Sequence, residues 1–212
     1  MAGRPRLLLL DFDGVLAHYD RDTRVGELAR PLGETPARVH EVMFGPNGLE
    51  HACDRGELDL PGYLAALRRD HGWAIEVERF VEARRAATRS DDAMGALLDD
   101  LRGQLELAVF TNNGAWFGEH LATICPPWSA LSGPRFVCAG SLRAAKPEAA
   151  AFDLCLRRLG FEPGQVLFVD DNADNVDGAR AAGLDALHFT DAALLRHHLA
   201  DLGFSLGELH AT

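Results

Sequence analysis

The stretch Leu7-Leu8-Leu9-Leu10-Asp11-Phe12-Asp13-Gly14 decides the fold. Arg6 to Leu10 is a short, continuous apolar run. That is how a strand reads when a parallel sheet buries both its faces. It stops on Asp-Phe-Asp-Gly, a tight turn carrying two carboxylates. Two later runs stop in the same manner. Leu105 to Phe110 gives way to Thr111-Asn112-Asn113-Gly114, and Gln165 to Val169 gives way to Asp170-Asp171-Asn172. A weaker run, Arg135 to Cys138, precedes Lys146 by a loop, and Ala186 to Phe189 reads as a last strand.

Helical periodicity fills the gaps between these runs. Leu97, Leu98 and Leu101 share an apolar face behind Asp91 or Asp92 as N-cap. Pro147 is expected to open a helix with Phe152, Cys155, Leu156 and Leu159 on its inner face and Gly160 at its end. Asp174 to Ala182 is a third helix, closed by Gly183. Leu194, Leu195, His198, Leu199 and Leu202 mark a final one. Strands alternating with helices predict an α/β fold, a Rossmann-like parallel sheet with helices on both faces. Residues from about 18 to 88 break the rhythm. They hold no convincing strand and three helical candidates, Glu34–Met43, Leu60–His71 and Val77–Thr88. The expected organisation is therefore a core of 1–17 and 89–212 with a helical insert at 18–88.

Composition narrows the partners. Lys and Arg total 21 against 32 Asp and Glu, a net charge of −11 over 212 residues. Such a surface disfavours nucleic acid and anionic membrane, which need clustered cations. None of the four cysteines, Cys53, Cys125, Cys138 and Cys155, lies in a CxxC pair, so they read as buried thiols of a reducing compartment. The Leu7–Leu10 run is far too short to span a bilayer. A cytoplasmic location is expected, with monomer or dimer left open.

In an open parallel sheet, ligands bind beyond the carboxyl ends of the strands. The polar groups Asp11, Asp13, Thr111, Asn112, Lys146, Asp170 and Asp171 all fall at those ends. Asp11 and Asp13, two apart, point to the same side of extended chain. Two or more carboxylates so close repel unless a cation or a proton intervenes, and Mg²⁺ suits one or two carboxylates plus phosphate oxygens. Lys146 and Thr111 supply the opposite charge for a transferring phosphoryl group. Asp11 is then a candidate nucleophile, and Asp13 an acid that protonates the leaving oxygen and later deprotonates water. Gly14 permits close backbone approach beside the nucleophile. Asn175, one helical turn beyond Asp171, is placed to orient the Asp171 carboxylate.

The motifs DFDGVL, TNN, KPE and VDDNADN, in this order and spacing, resemble those of the haloacid dehalogenase (HAD) superfamily across nearly the whole chain. The insert looks like the C1 cap of its subfamily I. FVDDNADNVDGARAAG is similar to bacterial sugar-phosphate phosphatases and to the phosphatase domain of soluble epoxide hydrolases. The resemblance implies that Asp11 is the nucleophile, Asp13 the acid/base, and Thr111 and Lys146 phosphate binders. It implies Asp171 as the more direct Mg²⁺ ligand, Asp170 at one remove, and the Asp13 backbone carbonyl as a further ligand. The family's dehalogenases lack an acid where Asp13 stands, which speaks for phosphoryl transfer to a small phosphorylated metabolite. A phosphomutase shares every core residue, and a non-catalytic phosphate-binding protein shares the fold. The loop before Lys146 departs from relatives, with Ala139 where Ser is common and Arg143 where Gly is common. In the insert, His18, Tyr19, Phe44 and Arg55 are candidates for substrate contact, as is Trp116 beside Asn113. His51, His71 and His197-His198 read as surface or packing residues.

Overall fold

The structure, a computed structural model, describes residues 4–207. The outermost ends of the expected core span, 1–3 and 208–212, lie outside the described residues. Five parallel strands form one sheet in the order β5-β4-β1-β6-β7. They are β1 (Leu7–Leu10), β4 (Glu106–Thr111), β5 (Phe136–Cys138), β6 (Val166–Asp170) and β7 (Asp185–His188). Leu10 of β1 pairs with Val109 on one side and Val169 on the other, so all three strands end level.

All four leucines of β1 are fully buried, and they alternate between two cores. Leu8 and Leu10 join Met94 and Leu97 of α6 (Asp92–Asp100) and Leu195 and Leu199 of α12 (Ala192–Asp201). Leu7 and Leu9 join Phe152 and Cys155 of α10 (Ala149–Leu159) and Ala179 of α11 (Ala173–Ala181). This is the strand period of two turned into a three-layer α/β sandwich. The short helices α7 (Ala115–Glu119), α8 (Leu121–Ile124) and α9 (Ala139–Leu142) fill the β4–β5 and β5–α10 connections.

Between β1 and α6 the chain builds α1 (Arg21–Leu32), α2 (Pro36–Phe44), α3 (Leu49–Asp54), α4 (Leu60–His71) and α5 (Val77–Ala86). Thr35 and Asp59 cap α2 and α4 by accepting from Arg38 and Gly62 amides, and each helix has a proline in its first turn. Two features of this region differ from expectation. α1 and α3 have no counterpart among the three candidates: Gly26 and Pro31 obscure the period of α1, where Pro31 is tolerated in the last turn just before the left-handed Gly33, and α3, with 6 residues, is too short to show one. The stretch also holds strands after all. β2 (Ala17–Tyr19) and β3 (Thr88–Ser90) pair antiparallel, Ala17 opposite Ser90 and Tyr19 opposite Thr88, at the two points where the insert leaves and rejoins the core. With only three residues each they carry no periodicity to read. Leu28, Val42, Tyr63 and Phe80 of the insert share one apolar cluster with Phe12 and Phe117 of the core.

A third difference concerns Pro147. The helix behind Lys146 starts at Ala149, because Glu148 is extended (φ −63°, ψ 129°) and its side chain reaches Arg55 at 2.6 Å. Pro147 precedes the helix, joined to Lys146 by a cis peptide. Among the described residues no helix is long and apolar enough to cross a membrane.

Candidate active site

The level strand ends deliver the acids to one place. Asp11 follows β1, and its amide donates to the Val169 carbonyl at 2.9 Å, which fixes the chain as it leaves the sheet. Asp11 Oδ1 accepts from the Phe12 amide (2.7 Å) and lies 3.0 Å from Lys146 Nζ. Oδ2 is the oxygen left for chemistry. Lys146 Nζ also donates to Asp170 Oδ2 at 2.6 Å. Its side chain is wholly buried, with the Phe110 and Phe168 rings 5.5 and 5.3 Å from the ammonium.

Asp170 is as buried as Lys146 and fully committed. Asn175 donates to both its oxygens at 3.1 Å, and the Asn172 amide to Oδ1 at 2.8 Å. Asn175 thus braces Asp170, where the sequence pointed to a role toward Asp171. Asp171 stands on the cavity side, and its carbonyl lies 2.8 Å from His188 Nε2. Gly14 has φ +83°, and a Cβ there would run into the Asp171 carboxylate at 2.1 Å, so both backbone and space demand glycine.

Thr111 is buried at the end of β4. Asn113 bridges it to the second acid, donating to Thr111 Oγ1 (2.9 Å) and to Asp13 Oδ2 (3.1 Å). Asn112, a further candidate phosphate binder at the end of β4, lines the cavity above these acids. Its amide is spent on Lys146, donating to the Lys146 carbonyl (2.8 Å) and accepting from the Lys146 N–H (3.0 Å). The Asn112 side chain therefore fixes the lysine's backbone at the edge of the cavity.

The electrostatics favour a dication. Oxygens of Asp11, Asp170 and Asp171 lie within 4.8 Å of one another. Two oxygens across a six-coordinate Mg²⁺ with bonds of about 2.1 Å are about 4.2 Å apart, so the cluster needs little adjustment to hold one. Burial pushes the Asp11 carboxyl up to about 8, against the pull of Lys146 and with help from the charge on Asp170. Burial also raises Asp171, again with Asp170 adding to it. Burial alone would lower Lys146, but Asp11 and Asp170 outweigh it and its pKa rises. One lysine among three acids leaves surplus negative charge, which a hard cation answers. The Asp13 side chain stands apart from this cluster.

A cavity of about 460 Å³ opens over Asp11, Asp13, Thr111 and Asp171. Its far wall comes from the insert: Tyr19, Arg21, Arg24, Met43, Phe44, Glu50, His51 and Asp54. Tyr19 and Phe44 are thus on the cavity as expected. His18 instead faces Asp91 at 3.5 Å, Arg55 pairs with Glu148, and Trp116 is buried against Phe80 and Phe117. His51, read as a surface or packing residue, is exposed at the cavity. Arg24 is buried and pairs with Glu50 at 2.6 Å, and Tyr63 donates to the same carboxylate at 2.9 Å. Arg84 went unread altogether. It is buried on α5 and donates through Nη2 to both oxygens of Asp13, at 2.6 and 2.7 Å. Asn113 had a usable signal, two residues from Thr111 and so on the same side of extended chain. Arg84, 71 residues from its partner, had none.

The sequence matches the family model described as haloacid dehalogenase-like hydrolase over residues 5–183. The chain belongs to that family. A phosphatase of Mycobacterium tuberculosis (strain CDC 1551 / Oshkosh) is 31% identical to this HAD-like hydrolase over 195 residues, covering 84% of each chain. Phosphoglycolate phosphatase 1 of Pseudomonas aeruginosa is 25% identical over 187 residues, 85% of this chain and 67% of its own. A HAD family enzyme of Bacteroides thetaiotaomicron, solved in complex with magnesium and inorganic phosphate, superposes with a TM-score of 0.75 at 18% identity, over 90% of this chain and 98% of that one. That last likeness is one of fold.

Proposed function

We propose that this HAD-like hydrolase is a Mg²⁺-dependent phosphatase that cleaves a small phosphomonoester, a sugar phosphate or similar metabolite, through an aspartyl-phosphate on Asp11. The observation that carries the reading is the double use of the acids. Asp11 is held by Lys146 with one oxygen uncommitted, while a second acid, Asp13, faces the same cavity on separate partners. A nucleophile and an acid/base are thereby distinguished by their surroundings.

In the first step Asp11 Oδ2 bonds to phosphorus as the bond to the leaving oxygen breaks, and Asp13 supplies the proton that oxygen needs. In the second, Asp13 takes a proton from water, whose oxygen displaces Asp11 from phosphorus. Lys146 and Thr111 offset the charge on the outer phosphoryl oxygens. Asp11, Asp171 and, at one remove, Asp170 would hold Mg²⁺, with the Asp13 carbonyl. The ion would neutralise charge shared by nucleophile and phosphate.

Two further facts support the substrate class. The Mycobacterium and Pseudomonas relatives bear phosphatase names, and the Bacteroides enzyme was solved with magnesium and phosphate. The insert wall is mostly polar, with Tyr19, Arg21, Arg24, Glu50, His51 and Asp54 beside only Met43 and Phe44. Such a wall suits a hydroxylated or carboxylated metabolite better than a long apolar chain. The test is phosphate release with Mg²⁺ over a panel of sugar phosphates and phosphorylated small acids. Asp11→Asn should lose turnover by a factor on the order of 10⁴. Undiminished release by that variant would end the nucleophile assignment, and a bisphosphate product in place of free phosphate would mark a mutase.

A further inference from the structure

Arg84 is a large buried cation for which the mechanism above has no use. Its side chain is 1% exposed, yet only Nη2 is employed, on Asp13. Nε and Nη1 are buried without a hydrogen-bond partner among the described residues. An ion pair kept for stability would satisfy its donors, because burying a guanidinium is expensive and a half-satisfied one more so. The geometry is that of a clamp instead. The guanidinium carbon sits 3.6 Å from the centre of the Tyr19 ring and 4.8 Å from that of Phe117, so the cation is held between two aromatic faces. Thr88 Oγ1 donates to the Arg84 carbonyl at 2.8 Å, tying the end of α5 to the β2–β3 ribbon. Arg84 does not line the cavity, whereas Asp13 and Tyr19 do. It touches the acid without itself lining the cavity.

We propose that Arg84 is a positioning residue for Asp13, aiming the carboxyl at the leaving oxygen and making that aim depend on where the helical insert sits. Asp13 is then held from two bodies, by Asn113 of the core at 3.1 Å and by Arg84 of the insert. This rests on the acid/base reading of Asp13 proposed above. When the leaving oxygen is an alkoxide, the proton from Asp13 must arrive as the bond to phosphorus breaks. When it is a nitrophenolate, the bond breaks without one. Loss of aim therefore slows alkyl phosphates selectively.

The experiment compares kcat/KM for p-nitrophenyl phosphate with that for the alkyl phosphate turned over fastest in the panel. It uses wild type, Arg84→Met, Arg84→Lys, Asp13→Asn and the double variant. Arg84→Met should lose at least about tenfold more on the alkyl than on the aryl substrate, and Arg84→Lys should recover part of it. In the Asp13→Asn background Arg84→Met should add no selective loss. Equal losses on both substrates, or the same selective loss without Asp13, would overturn the inference. If Arg84→Met does not fold by far-UV circular dichroism, the alkyl-to-aryl ratio of Arg84→Lys decides. A selective loss in Asp13→Asn but not in the Arg84 variants sinks this inference alone. No selective loss in Asp13→Asn sinks the acid/base reading, and this inference with it.

Discussion

Two buried cations grip the two acids of the DFD turn from opposite sides, one from the core and one from the insert. Lys146, on the core side, spends its ammonium on Asp11 and Asp170 and rests between Phe110 and Phe168. Arg84, on the insert side, meets Asp13 through one nitrogen and leaves two others unpartnered among the described residues. The difference teaches what each region is built to do. The core site is part of the folded framework, so removing its cation strands buried acids. The insert's contact satisfies its cation only in part, at a joint between insert and core.

This contrast is sharpest in stability. Lys146→Met leaves Asp170 with no exposure and no counter-charge, and should cost about 3–5 kcal/mol in urea unfolding with EDTA present. Arg84→Met leaves Asp13 with 26% of its side chain exposed and with Asn113 still bonded. It should fall within about 1 kcal/mol of wild type, since an imperfectly satisfied buried ion pair contributes little. Equal losses for the two variants would erase the distinction between framework and joint.

The same division governs what the sequence discloses. Asp11, Asp13, Thr111, Asp170 and Asp171 are legible because each sits where an apolar run stops, and Lys146 because it follows the run Arg135 to Cys138 by a loop; a parallel sheet brings such points together without any knowledge of side-chain packing. The bonds of Asn112 to the Lys146 backbone are not legible, because a turn asparagine gives no hint of which backbone it will bond. The β2–β3 ribbon is too short to show a period. Arg24, Glu50 and Arg84 are invisible for another reason. Arginines on amphipathic helices read as solvated, and only the docking of α1, α3 and α5 over the core buries them. The fold class and the catalytic edge thus follow from local pattern, while the cavity's far wall follows from long-range pairing.

Magnesium should act on the core side of the comparison alone. Without metal, Asp11 in the folded protein holds its proton up to about 8, far above the ordinary 3.8. Between those values the unfolded chain has released a proton that the folded one retains, so the stability Asp11 contributes is complete below 3.8 and is lost as pH climbs toward 8. A bound cation competes with that proton, so Mg²⁺ binds better as pH rises. The gain in Tm on adding Mg²⁺ should therefore be larger at pH 8 than at pH 5.5. In Arg84→Met the same increment and the same slope are expected. A gain independent of pH, or one lost with Arg84, would mean that the two sides are not separate.

The smallest effect concerns the loop that presents Lys146. Arg143 adopts φ +55° and ψ 34°, the left-handed region that a side chain resists and glycine accepts. It is exposed, and nothing in the structure explains why an arginine stands where relatives often have Gly. Arg143→Gly relieves that conformation but enlarges the freedom of the unfolded chain, and the two partly cancel. The net gain should be at most about 1 kcal/mol. Because Asn112 fixes the Lys146 backbone on both sides, at 2.8 and 3.0 Å, the lysine should stay in place and kcat/KM should not change. A fall in kcat/KM in Arg143→Gly would show that the loop, and not Asn112, sets the lysine, and that the core site is less rigid than its hydrogen bonds imply.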